Sequence, residues 1–363
     1  MRRWRLSFGA LRLRHIMATI FILAFLGGIG AVLVAWSGAY NVAASRGHWP
    51  ITNWFLHFTL RNSVETHSLG IRPPGLDDPA LIRLGAGHFA AGCAFCHGAP
   101  GDPPGIVVRH MLPKPPDLSN AAREWRAQEL FWIVQNGFKF TGMPAWPARG
   151  RDEEIWAMVA FLQALPELKP EQYRQLAGAD RTASDPLSGC ESCHGSGGDR
   201  PASALVPSLP GLQQGYLERA LAEYRSGLRQ SGIMQQAAST LSDADIVRLA
   251  RHYAALPIRP APEPAEEADR IARGREIAER GLREAGVPAC LSCHERPGSL
   301  LFPRLSGQQA RYITGQLAVW RNGMRRLSAP GQIMAVIATR LPADAAADVA
   351  AYFQARDATE VSQ

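Results

Sequence analysis

The sequence predicts an all-α chain in which one N-terminal transmembrane helix is followed by three small helical domains. Three observations predict it. Residues 16–36 form an uncharged apolar run of 21. The pattern Cys-x-x-Cys-His occurs three times, starting at Cys93, Cys190 and Cys290, at intervals of 97 and 100 residues. Apolar residues recur at helical spacing, as at Ile155, Trp156, Val159 and Leu162, and no alternating stretch precedes any copy of the pattern.

The apolar run comes first. At 1.5 Å per residue it reaches about 31 Å, the thickness of a bilayer's hydrocarbon core. A cleaved leader has a shorter apolar region of about 7–15 residues. The run therefore reads as an uncleaved anchor, although Ser37-Gly38-Ala39 and Val42-Ala43-Ala44-Ser45 offer small residues for cleavage. Arg2, Arg3, Arg5, Arg12 and Arg14 precede it. Basic flanks stay cytoplasmic, which places the chain in the inner membrane with everything after residue 37 in the periplasm. The net charge is +7. Without those five arginines it falls to about +2, so composition makes no case for nucleic acid and leaves membrane lipid as the implied contact.

In the stretch 38–78, Pro50 suits a first helical position, and Ile51, Trp54, Phe55 and Phe58 follow at i, i+3, i+4 and i+7. This amphipathic helix reads equally as an interfacial element, which Trp49 and Trp54 suit, or as packing against the first domain. The isolated His48, His57 and His67 read as surface or capping residues. Arg72-Pro73-Pro74-Gly75 is a linker.

Two thiols three residues apart lie on adjacent faces of one helical turn, where both can add to the vinyl groups of a porphyrin. The histidine that follows faces the iron. All six cysteines fall into the three copies: Cys93 with Cys96, Cys190 with Cys193, and Cys290 with Cys293. His97, His194 and His294 are the corresponding proximal ligands. This arithmetic implies three covalently bound c-type haems. A zinc ribbon needs two Cys-x-x-Cys pairs about 15–20 residues apart, and a thioredoxin-like motif needs a βαβ context; neither is present. Domains of 90–100 residues are small for an apolar core of their own, and a buried haem would complete it.

The first such domain covers residues 79–168. Leu81, Leu84 and Phe89, with Gly85 between, form a helix leading into Cys93. Lys114-Pro115-Pro116-Asp117-Leu118 is a stiff loop, residues 129–134 form a helix, and residues 152–165 close the domain. Met143, on a Gly/Pro-rich loop 46 residues after His97, is the expected sixth ligand, because a loop methionine matches the Met/His ligation of cytochromes c. Met111 is its competitor and stands only 14 residues after His97.

The second and third domains, 169–257 and 258–357, repeat each other, with a Pro/Glu-rich linker at 257–264 and a tail at 358–363. Pro207, Leu209 and Gly211 match Pro303, Leu305 and Gly307. Tyr216, Leu221, Arg225 and Arg229 match Tyr312, Leu317, Arg321 and Arg325. In both, a methionine stands 40 residues after the motif histidine and seven before a leucine: Met234 before Leu241, Met334 before Leu341. These two are the expected distal ligands. Met324 matches Leu228 and reads as packing. The residues before Cys190 make a poor helix, expected to be short or distorted and to leave that haem edge more exposed.

These features resemble the class I c-type cytochromes. Residues 169–357 look like the periplasmic dihaem cytochromes c built from two such domains. Residues 38–168 resemble a membrane-anchored monohaem module, on the stretches Ser37-Gly-Ala-Tyr-Asn-Val-Ala43, Cys93 to Pro100 and Phe131 to Pro144. The resemblance implies a proline whose carbonyl holds each motif histidine, with Pro116, Pro207 and Pro303 in that place. It also implies electron relay in the periplasm, from a dehydrogenase or quinol-oxidising complex to a terminal oxidase, with those proteins or a soluble cytochrome as redox partners and no catalytic residue. The alternative is a haem enzyme, peroxidase-like or sulfur-oxidising, with one open iron; a distal methionine in every domain argues against it.

Overall fold

The computed structural model describes residues 8–43, 45–178, 186–258, 268–295 and 302–356. Arg2, Arg3 and Arg5, the linker residues 259–264 and the tail 358–363 lie outside them. The described residues are helical and contain no strand, only two isolated bridges. The chain divides into two compact units, residues 1–55 with Met111–Pro113, and Leu56–His110 with Lys114–Gln363.

In the first unit α1 (Phe8–Ser37) contains a segment, Leu13–Ser37, of 25 residues that is long and apolar enough to cross a membrane, with none of it buried. Ile16, Phe21, Leu26 and Val32 are all exposed, so no face is set aside for a protein core. Beyond it the Tyr40 hydroxyl bonds His48 Nδ1, and the Tyr40 ring meets Trp49 edge-on at 5.0 Å. Helix α2 (Pro50–His67) begins in this unit and ends in the other. Both readings of this helix find a place. Ile51, Trp54, Phe55 and Phe58 stay exposed, while the last two turns pack: Val64 is fully buried, Arg61 lies over the Trp125 ring at 5.0 Å, and the His67 ring is 5.6 Å from Trp132.

In the second unit the first of the three expected domains comprises α3 (Pro79–Gly92), α4 (Ala94–His97), α5 (Ile106–Arg109), α6 (Leu118–Glu124), α7 (Ala127–Asn136) and α8 (Asp152–Ala164). Asp78 caps α3 through the Ala80 amide at 2.9 Å, with Pro79 at its first position. Helices α3 and α8 cross where Gly85 lets the backbones meet, and Phe89, Ile155, Met158 and Phe161 are buried around that crossing. Helix α9 (Pro170–Ala177) lies past Leu168 yet adds Tyr173 and Ala177 to this same core, the Tyr173 ring 6.1 Å from both Phe89 and Phe161.

The second domain carries α10 (Pro186–His194), α11 (Gln214–Arg225), α12 (Gly232–Ala238) and α13 (Asp243–Ala254). The third carries α14 (Ala268–Arg280), α15 (Ala310–Arg321), α16 (Ala329–Arg340) and α17 (Ala343–Ala355). The repeat shows in matching bonds. Arg225 Nη1 donates to the Leu241 carbonyl, and Arg321 Nη2 to the Leu341 carbonyl, each at 2.8 Å. Each arginine thus ties its helix, α11 or α15, to the chain two residues before the closing helix. The two domains also meet directly, through the Ser208 amide on Gln308 Oε1 at 3.1 Å and the Arg325 amide on Gln230 Oε1 at 3.0 Å.

Candidate functional site

Each Cys-x-x-Cys-His stands at a helix end or turn. The first ends α3 and makes α4, the second is the last turn of α10, and the third forms a 3-10 turn at Cys290–Ser292. Each histidine is fixed from a distance. His97 Nδ1 donates to the Pro116 carbonyl at 2.9 Å, His194 Nδ1 to Pro207 at 3.0 Å and His294 Nδ1 to Pro303 at 2.7 Å. A carbonyl only accepts, so Nδ1 carries the proton and Nε2 keeps its lone pair for a metal. The carbonyl bond raises the pKa of each, but burial outweighs it and lowers all three below the ordinary value, towards the neutral imidazole that ligation needs.

The sequence treats the two thiols of each motif alike; the structure does not. All six cysteines are half-buried, and none is in a disulfide. The leading cysteine of every motif packs on the core of its own domain: Cys93 on the first, Cys190 on the second and Cys290 on the third. Of the trailing cysteines only Cys193 packs on an apolar core. Cys96 and Cys293 join none among the described residues. Instead they are placed by their own turns. The Cys96 amide donates to the Cys93 carbonyl at 3.1 Å and the Cys293 amide to the Cys290 carbonyl at 3.2 Å. The leading thiol is held by tertiary packing, and in the first and third motifs the trailing one is placed by its own turn, with the Ser292 hydroxyl also on Cys293 Sγ in the third. Burial pushes Cys93 up to about 12 and Cys290 to about 11, and raises Cys193. A redox or zinc cysteine has its pKa lowered instead, so these three are not set up for thiolate chemistry.

His194 and His294 open onto one cavity, partly open to solvent, that runs through the second and third domains. Cys190, Cys193, Met234 and Met334 line the same cavity, whereas Cys290 and Cys293 stand off its wall. Met324 does not line it either, and its Cγ would lie 3.2 Å from a β-carbon placed on Gly150. Cys93, Cys96, His97 and Met143 do not line this cavity. The backbone of Met143 is held by its own loop. Its carbonyl accepts from the Phe138 amide at 3.2 Å and its amide donates to Thr141 Oγ1 at 3.1 Å. Met111 groups with the N-terminal unit.

The second motif ends the short helix α10, and its His194 is buried all the same. Helix α3 of the first domain covers it: a β-carbon on Gly87 would stand 3.4 Å from Cys193 Sγ, and Leu84 lines the cavity. The first domain supplies the apolar wall that the sequence before Cys190 lacks. This neighbour is also why Cys193 is packed where Cys96 and Cys293 are not.

Two arginines, Arg229 buried and Arg325 half-buried, complete the cavity. Arg229 donates to Tyr216 and Tyr312 hydroxyls, each at 3.2 Å, and its Nε has no partner. Arg325 bonds Gln316 Oε1 at 2.6 Å and lies over the Trp320 ring at 4.1 Å. Burial, and then the like charge of Arg229, lower the Arg325 pKa. Among the described residues neither is ion-paired with a carboxylate. Paired buried cations call for an anion, and haem brings two carboxylates, so the cavity fits haem by charge as well as by its histidines. These arginines were visible in the sequence only as matched repeat positions; their shared cavity was not.

Fold and site together define a cytochrome of c type, and the chain belongs to the class I c-type cytochromes. The family model described as cytochrome c oxidase, cbb3-type, subunit III matches residues 80–162. The thiosulfate dehydrogenase electron acceptor of Stutzerimonas stutzeri is 35% identical over 57% of this chain and 93% of its own length. Cytochrome c4 of Pseudomonas aeruginosa is 31% identical over 49% of this chain and 92% of its own. A solved cytochrome c4 of Acidithiobacillus ferrooxidans is 31% identical, covering 46% of this chain and 98% of that one, at a TM-score of 0.41. This chain is accordingly an electron-transfer cytochrome with covalently bound c-type haem that works with redox partner proteins.

Proposed function

We propose that the chain is a membrane-anchored trihaem relay in the periplasm. The observation that carries this reading is the threefold recurrence of a Cys-x-x-Cys-His whose histidine is held by a proline carbonyl. Bound haem iron supplies a one-electron ferric/ferrous couple. The residues of the chain do the rest. Cys93 and Cys96, Cys190 and Cys193, and Cys290 and Cys293 hold the three porphyrins covalently. His97, His194 and His294 bind iron through Nε2. Met143, Met234 and Met334 would supply the second ligand to each iron, which would raise the potential and leave no position for substrate. Burial by the helices excludes water and keeps reorganisation small.

The donor is a periplasmic dehydrogenase or a quinol-oxidising complex, and the acceptor is a terminal oxidase. Two relatives bear the name of a dehydrogenase's electron acceptor, and the family matched by residues 80–162 is described as an oxidase subunit. Intact mass and haem staining test the stoichiometry. Three haems and three one-electron equivalents per chain are expected. A mass with two haems, the Cys190 motif being unserved, would reject the trihaem assignment.

The anchor is α1, exposed and apolar on every side. The protein is expected to remain in membranes after alkaline carbonate washing, with haem accessible only from the periplasm. An N-terminus found near Tyr40 or Ser45, with haem-stained protein in the soluble periplasm, would show instead that α1 is a cleaved leader.

A further inference from the structure

We propose that Glu154, in the first turn of α8 in the first haem domain, is a positioning residue for Met234, the distal ligand assigned above to the second iron; the inference rests on that assignment. Glu154 is only 4% exposed, and a buried carboxylate persists only where donors satisfy it. Two of its four donors come from the second domain. Ser231 Oγ donates to Oε1, and the Gly232 amide donates to Oε2 at 2.7 Å. Trp146 Nε1 also donates to Oε2, at 3.1 Å, and Arg151 Nη2 lies 2.7 Å from Oε1. Arg151 itself reaches across to the Gln230 carbonyl at 3.3 Å.

Ser231 is the N-cap of α12, and its Oγ accepts from the Met234 amide at 3.1 Å. A hydroxyl has one proton to give and lone pairs to receive with. Ser231 gives its proton to Glu154 and receives from Met234, so the carboxylate is one hydroxyl away from the backbone of the ligand. The contact is close: a β-carbon on Gly232 would stand 2.3 Å from the Trp146 indole, so only glycine admits it.

Among the described residues the third domain has no such tether. Met334 sits in α16, of 12 residues, whose N-cap Ser328 makes no side-chain cap bond. Helix α12 has 7 residues, too short to hold itself. The first domain therefore fixes from outside what the third domain fixes by helix length. The ligand set of the second iron depends on a neighbouring domain, and the ligand set of the third does not.

The test uses holoprotein purified from membranes, with carbon monoxide binding by the reduced form and the methionine–iron charge-transfer band as readouts. In Glu154→Ala one haem per chain is expected to bind carbon monoxide about tenfold more tightly than in the native protein, the change that about 1.4 kcal/mol makes in an equilibrium. Ser231→Ala, which leaves the Glu154–Arg151–Trp146 cluster in place, should do the same. Glu154→Gln, which keeps one accepting oxygen, should fall between. Met234→Ala should open that haem fully, and adding Glu154→Ala to it should change nothing more. Native carbon monoxide affinity in Glu154→Ala or Ser231→Ala, with one haem opened in Met234→Ala, overturns the positioning role alone. If Met234→Ala opens no haem, the ligand assignment fails and the positioning role with it. Should Glu154→Ala not accumulate with haem, Ser231→Ala decides.

Discussion

Met334→Ala is expected to abolish the methionine–iron charge-transfer band of one haem and to open that haem to carbon monoxide, whereas Met324→Ala leaves both unchanged. The two residues are ten positions apart in one domain, and both are half-buried. Truncating either removes packing and costs stability, at most the about 2–5 kcal/mol seen for fully buried methionines. Stability therefore does not separate them, and ligation does. Met334 lines the cavity that holds His294, while Met324 lies against Gly150 of the first domain. Visible and near-infrared spectra of the oxidised protein, with carbon monoxide titration of the reduced form, provide the comparison. A lost band in Met324→Ala and an intact one in Met334→Ala would show that the repeat alignment between the second and third domains is wrong.

Gly85→Ala and Gly274→Ala are expected to be the most disruptive single-methyl changes in the chain. A β-carbon on Gly85 would stand 2.1 Å from the Ala157 carbonyl oxygen and 2.7 Å from Phe161 Cβ. One on Gly274 would stand 2.0 Å from the Asp348 carbonyl oxygen and 2.9 Å from Tyr352 Cβ. Backbone atoms cannot rotate away as a side-chain tip can, so the crossing helices α3/α8 or α14/α17 must separate, at a cost of about 3 kcal/mol or more. Gly315→Ala in α15 is the control. Nothing lies within 4 Å of its β-carbon, and the better helix former should be neutral or stabilising by up to about 1 kcal/mol. Thermal unfolding of the holoprotein and haem-stained yield measure all three. Equal stability of Gly85→Ala and Gly315→Ala would refute the close crossing.

The sequence by itself determined the parts of this protein that are local or periodic. The long helix α1 is a run of apolar residues, and each Cys-x-x-Cys-His is a pentapeptide. The repeat of Arg225 on Arg321 and of Leu241 on Leu341 can be aligned by counting, and the structure gives the paired residues the same bond. The proline carbonyls were expected from the family resemblance, at Pro116, Pro207 and Pro303, and stand in hydrogen-bond contact with the three histidines. Tertiary structure alone decided how the domains complete one another. Tyr173, in a helix that follows the first closing helix, joins the core of the first domain. The Cys190 motif, poorly covered by its own sequence, is covered by α3 of its neighbour, which packs Cys193 and leaves its counterparts Cys96 and Cys293 to their own turns. Glu154 meets Ser231 across 77 positions, and Arg229 meets Tyr312 across 83. For these buried polar pairs the physical reason is one and the same. Such a group must find its partner wherever the packed helices place one, and a partner that far along the chain leaves no period, motif or spacing to read.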